Sequence, residues 1–107
     1  MSSTQHKKRI RVPLTYDEAF DLCLNSLGQL KRSKIKTQNR SEGKIVARAG
    51  ISISSWGEAI EFQLKEIDAD QTEIQFSSRP VLRTTLIDYG KNLRNIELLE
   101  EFLNKNL

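Results

Sequence analysis

A chain of 107 residues and 12.3 kDa is the length of one domain, enough to bury about two-thirds of its unfolded surface. Its 37% apolar and 29% charged composition fits a globular fold, and no apolar run approaches the ~18 residues of a membrane span. The basic start MSSTQHKKRIRVPL leads into no apolar signal core, and a lone cysteine, Cys23, offers no disulfide, so a reducing cytoplasm is the expected setting.

Residues 1–6 carry no apolar pattern and are expected to form a disordered N-terminal tail, with a single α+β domain over 7–107. From Lys7 the chain alternates, Ile10, Val12 and Leu14 against Arg9 and Arg11, which predicts a strand ending at Pro13. Thr15-Tyr16-Asp17-Glu18 reads as a capping box, because hydroxyl and carboxylate can satisfy free amides of a first helical turn. Phe20, Cys23, Leu24 and Leu27 follow at helical spacing, and Gly28 is a stop signal. Lys31–Asn39 predicts a lysine-rich edge strand, since lysines discourage pairing with other chains.

After the turn Arg40–Gly43, residues Ile45, Ala47, Ala49, Ile51 and Ile53 share one face of a predicted strand. Gly50 in its middle marks a bulge or sharp bend. A tight corner at Ser54–Gly57 carries the only tryptophan, Trp56. Beyond it Ile60, Phe62 and Leu64 alternate with Glu61, Gln63 and Lys65, and Glu58 falls in phase with the apolar set. A carboxylate there is costly without a partner. Asp68-Ala69-Asp70-Gln71 is hairpin chemistry, and Ile74 and Phe76 then face inward while Glu73, Gln75 and Ser77 face out. Thr85-Leu86-Ile87-Asp88 gives a second capping signal, followed by Tyr89, Leu93, Ile96, Leu99 and Leu103 at helical spacing. Gly90, early in that helix, suggests close packing. The predicted order is β-α-β-β-β-β-α: an antiparallel curved sheet with two helices packed on one face and water on the other.

Chemistry-bearing patterns are few. The only histidine, His6, lies in the expected tail, and Cys23 lies in a helical apolar stripe, so neither forms a nucleophile–base pair. One His and one Cys make no metal cluster, and five scattered glycines make no phosphate loop. A non-enzymatic protein without a cofactor is the expectation. Charge is uneven: residues 1–50 hold 11 Lys and Arg against 4 Asp and Glu, and residues 51–107 hold 6 against 10. The basic run Lys31, Arg32, Lys34, Lys36, Arg40, Lys44 and Arg48 therefore offers one candidate surface, for nucleic acid or an anionic membrane. No aromatic residue lies between Phe20 and Trp56 to stack on bases, which weakens that reading. The other constellation is Trp56 and Glu58 at one corner with Arg79, Arg83, Asp88, Tyr89, Lys91 and Asn92 near the last strand and helix. If both lie at one end of the sheet, Glu58 pairs with Lys91 or Arg79. The group is then either an edge ion pair with a tryptophan plug or the mouth of a pocket lined by Ile60, Phe62, Phe76 and Leu93.

Three pieces, Gly43-Lys44-Ile45-Val46-Ala47, Ser55-Trp56-Gly57-Glu58 and Thr84 through Asn92 (TTLIDYGKN), resemble a family of small uncharacterised bacterial domains, with likeness from Val12 onward. The resemblance implies a β-α-β4-α domain of unknown function. The element order is also similar to TATA-binding-protein-like folds and, in miniature, to the helix-grip lipid-binding folds; this likeness is topological and transfers no residues. The sequence thus predicts a domain that binds a small apolar or amphipathic ligand, or a protein partner, between sheet and C-terminal helix. The alternative is an electrostatic module using the basic 31–48 hairpin.

Overall fold

The computed structural model describes residues 5–51, 56–82 and 90–107. Strand β1 (His6–Val12) leads into helix α1 (Tyr16–Ser26) and a short 3₁₀ turn (Leu27–Gln29). Strands β2 (Lys34–Asn39), β3 (Lys44–Ala49), β4 (Glu58–Asp68) and β5 (Gln71–Pro80) follow, then helix α2 (Lys91–Lys105). All pairings are antiparallel and the sheet order is β1-β5-β4-β3-β2. The expected β-α-β-β-β-β-α order and antiparallel curved sheet are therefore observed. Strands β1 and β2 sit at opposite edges, so the α1 connection has to cross the sheet, and it covers the face it crosses.

Period-two alternation decides that face. Ile45, Ala47 and Ala49 of β3, Ile60, Phe62 and Leu64 of β4, and Ile74 and Phe76 of β5 are all buried on it. Phe62 and Phe76 stand directly opposite across β4–β5 and stack with centroids 6.0 Å apart. Ala19, Phe20 and Cys23 of α1 and Ile96, Leu99 and Leu103 of α2 close over them as one core. Helix α1 starts where predicted: the Glu18 amide donates to Thr15 Oγ1 at 3.2 Å, and the Thr15 amide donates to Glu18 Oε1 at 3.1 Å.

Three expectations change. The strand predicted through Ile53 ends at Ala49, because Gly50 turns to φ +70° and donates its amide to the Lys31 carbonyl at 2.9 Å instead of to a ladder. Ile51, expected inside, is consequently exposed, and Ile53 lies outside the described residues. Residues 31–33 belong to a turn, so β2 begins at Lys34; it is an edge strand as expected. Gly90 is the N-cap of α2 at φ +76°, with nothing among the described residues within 4 Å of where a Cβ would stand. Its backbone angle, not close packing, requires glycine there. The Thr85–Asp88 capping signal lies outside the described residues.

Cys23 is fully buried in the core, and burial pushes its thiol well above the ordinary range. Alkylation by iodoacetamide is expected to proceed only as fast as the domain unfolds. Labelling followed by mass spectrometry checks this, and modification of native protein at the rate of a free thiol would contradict it.

Candidate functional site

Glu58 opens β4 in phase with Ile60 and Phe62, so the pleat sends its carboxylate to the helix-covered face, where it is 6% exposed. Its partner is neutral: Asn95 Nδ2 donates to Glu58 Oε1 at 3.1 Å. The same Nδ2 lies 3.1 Å from Ser78 Oγ, whose hydroxyl donates to Asn92 Oδ1 at 2.6 Å. Ser78 follows Ile74 and Phe76 in phase on β5, and Asn92 and Asn95 are three apart on α2, so strand and helix periodicities bring the four together. Gly50 completes the arrangement. A Cβ there would stand 2.8 Å and 3.1 Å from the two Glu58 oxygens, so its bare backbone is what admits the carboxylate.

Beside this cluster a cavity of about 450 Å³ opens between the turn after α1, the end of β3 and the start of α2. Leu30, Ala49 and Leu98 supply apolar wall, Glu58 and Asn95 supply buried polar groups, and Lys31, Arg32, Lys91 and Arg94 stand exposed around it. On α2 the lining positions 91, 94, 95 and 98 follow one helical face. The Gly50–Lys31 hydrogen bond ties the end of β3 to the turn after α1, and Arg32 there adopts φ +50°, uncommon for a side-chain-bearing residue.

The structure redistributes the predicted site residues. Glu58 and Lys91 both line the cavity, but Glu58 makes no ion pair among the described residues, and Asn95 takes the place expected of Lys91 or Arg79. Arg79 pairs in register with Ala59, not with Glu58, and so lies on the opposite, hydrated face, where it donates to the Pro80 carbonyl at 3.3 Å. The phase that puts Glu73, Gln75 and Ser77 outside puts Arg79 there too. Trp56 is 67% exposed and plugs nothing. Asn92 is fully buried and structural in its contact with Ser78. Arg83, Asp88 and Tyr89 lie outside the described residues. The expected pocket lining is core instead: Ile60, Phe62 and Phe76 are sealed, while Leu93 turns to solvent because the inward positions of that turn are Asn92 and Asn95.

The basic run divides as well. Arg40 is bound to α1, reaching Asp21 at 2.7 Å and Asp17 at 3.3 Å with its guanidinium 4.4 Å from the Phe20 ring centroid. Lys31 and Arg32 go to the cavity. Lys34, Lys44 and Arg48 face the hydrated side of the sheet, and Lys36 falls in the register break of β2. Four features escaped the sequence reading: Ser78, Asn95, the Gly50 cradle and the 29–32 turn. Ser78 and Asn95 had a detectable signal, each being a polar residue in phase with an apolar stripe.

No protein-family model matches the chain, and no curated protein sequence does. Solved structures do resemble it. An uncharacterised protein from Bacillus thuringiensis superposes with a TM-score of 0.62 at 10% identity, over 94% of this chain and 93% of that one. A START superfamily protein from Mycobacterium smegmatis gives 0.63 at 9% identity, over 95% of each. Norcoclaurine synthase from Thalictrum flavum, solved with dopamine and hydroxybenzaldehyde, gives 0.54 at 7% identity, over 96% of this chain and 87% of that one. The chain therefore shares its α+β fold with START-like and uncharacterised bacterial proteins.

Because Glu58 is buried against a neutral amide, Asn95→Ala is expected to destabilise the domain by about 1–3 kcal/mol, the cost of a carboxylate left without its donor. Glu58→Gln removes the charge and keeps an acceptor for Asn95, so it is expected to change stability by less than about 1 kcal/mol. Urea denaturation of both variants measures the contrast; a large loss in Glu58→Gln would restore a cationic partner.

Proposed function

We propose that this protein is a non-enzymatic binding domain that takes a small amphipathic molecule into the cavity between the 29–32 turn, Gly50 and α2. The observation that carries this reading is the cavity itself, about 450 Å³, within the range of small-molecule sites and walled partly by Leu30, Ala49 and Leu98. An apolar wall beside a few fixed polar groups is the usual make-up of such sites. The shared fold supports it, since the helix-grip arrangement of sheet and C-terminal helix is one that lipid-binding domains use, and norcoclaurine synthase was solved with two small aromatic compounds. Cys23 is fully buried in the core and is not among the residues lining the cavity, so its thiol does not face a ligand there.

A second reading rests on the other face of the sheet. The register brings Lys7, Arg9 and Arg11 of β1 and Arg79 of β5 to the same side as Lys34, Lys44 and Arg48. That surface suits a polyanion, with Glu61 and Glu73 as its acidic members and no aromatic ring on it among the described residues. Binding there would weaken steeply with salt, whereas the apolar contribution in the cavity would not.

The neutral fluorescent probe N-phenyl-1-naphthylamine tests the first reading. It is expected to bind with enhanced fluorescence at both low and high salt, and Leu98→Trp, which fills the cavity from α2, is expected to weaken it by about tenfold or more. No enhancement with the native protein, or an unchanged titration in Leu98→Trp, would count against the cavity.

A further inference from the structure

Four cations surround the cavity: Lys31 and Arg32 from the turn after α1, Lys91 and Arg94 from the first turn of α2. Among the described residues none of the four is in a salt bridge, whereas Lys8, Arg9, Arg40 and Lys105 elsewhere all are. Among the described lining residues the one carboxylate, Glu58, is buried and accepts from Asn95. Two further effects act in the same direction. Lys91 and Arg94 stand at the positive end of the α2 dipole with no acidic residue in that turn, an arrangement that repels cations and attracts an anion. Arg32 adopts φ +50° beside the carbonyl of Lys31 that Gly50 pins, so that hydrogen bond helps hold this part of the rim in a conformation that costs energy on its own.

Charges converging from two elements on an apolar-walled cavity select a head group as well as a tail. We infer that the ligand of this cavity is an amphipathic anion, its carboxylate or phosphate between Lys31, Arg32, Lys91 and Arg94 and its apolar part against Leu30 and Leu98. This rests on the cavity being a binding site, and it adds the sign of the ligand. The acidic Glu58 sets the orientation, because an anion is repelled from that inner corner and remains at the basic rim. A cationic amphiphile of the same length meets the opposite field and is rejected, which makes the rim a specificity device as well as an attractive one.

Matched eight-carbon probes separate the charge from the cavity: octanol, octanoate, octyl phosphate and octyltrimethylammonium, each titrated calorimetrically into the full chain at low salt. Octanoate or octyl phosphate is expected to bind about tenfold tighter than octanol, the sum of a few partly exposed ion pairs, and octyltrimethylammonium weaker than octanol. Whichever anion binds better identifies the head group as carboxylate or phosphate. Lys91→Gln and Arg94→Gln, both at exposed positions, are expected to remove most of that preference, bringing the ratio of anion to octanol affinity toward one. Equal affinity for octanol and both anions, or anion binding indifferent to both substitutions, would overturn the anionic ligand while leaving the cavity intact as a neutral site. Failure of octanol and the anions alike would overturn both readings.

Discussion

The contact between Glu58 and Asn95 governs how this molecule is put together at one end. A carboxylate on the covered face of a sheet is tolerated only if its desolvation is offset by a hydrogen bond, and the donor comes from the first turns of the last helix. Gly50 makes the geometry feasible from the third side, since any Cβ there would crowd the carboxylate. One buried acid therefore ties the start of β4 to α2 and leans on the end of β3. Ser78 extends the same polar cluster to β5 and Asn92. Polar clusters of this kind specify an arrangement more than they stabilise it, because every member must find its partner.

The cavity is a consequence of that polar corner. Farther along α2, Leu99 and Leu103 seal against the sheet as ordinary core. Toward its start the inward positions are asparagines, and β3 ends at Ala49 with Gly50 lining the cavity beside it. A pocket opens where apolar packing gives way to hydrogen bonding. The likeness to START-like structures extends over nearly the whole chain, so the layering of helix on sheet is the shared feature. The cavity's basic rim is built from exposed residues that make no salt bridge among the described residues.

Much of the architecture was legible because it depends on period. The strands of the β4–β5 hairpin, the capping box at Thr15 and the apolar stripe of α2 from Ile96 onward each follow from spacing alone. The phase of Glu58 with Ile60 and Phe62 also announced a buried acid. What could not be read was partnership across the chain. Asn95 is 37 positions from Glu58, and nothing local marks an asparagine as the donor when Lys91 and Arg79 offer full charges. Arg79 could have been excluded by phase, since it continues the outward series of Glu73, Gln75 and Ser77. Gly50 gave a correct warning of a bend, but whether it bent or ended the strand depended on the Lys31 carbonyl, a contact made by a segment that looked like strand. The basic run likewise read as one surface; folding sends its members to the cavity, to α1 and to the open face.

Side-chain amide NMR of Asn95 addresses the Glu58 contact most directly. If the carboxylate is held as described, the Asn95 Nδ2 protons will exchange slowly with water and show nuclear Overhauser effects to Glu58 Hγ, Gly50 Hα and Ser78 Hβ. An Asn95 amide that exchanges freely and shows no contact to Glu58 would mean the buried acid has a different partner, and the cavity walls would then have no common anchor.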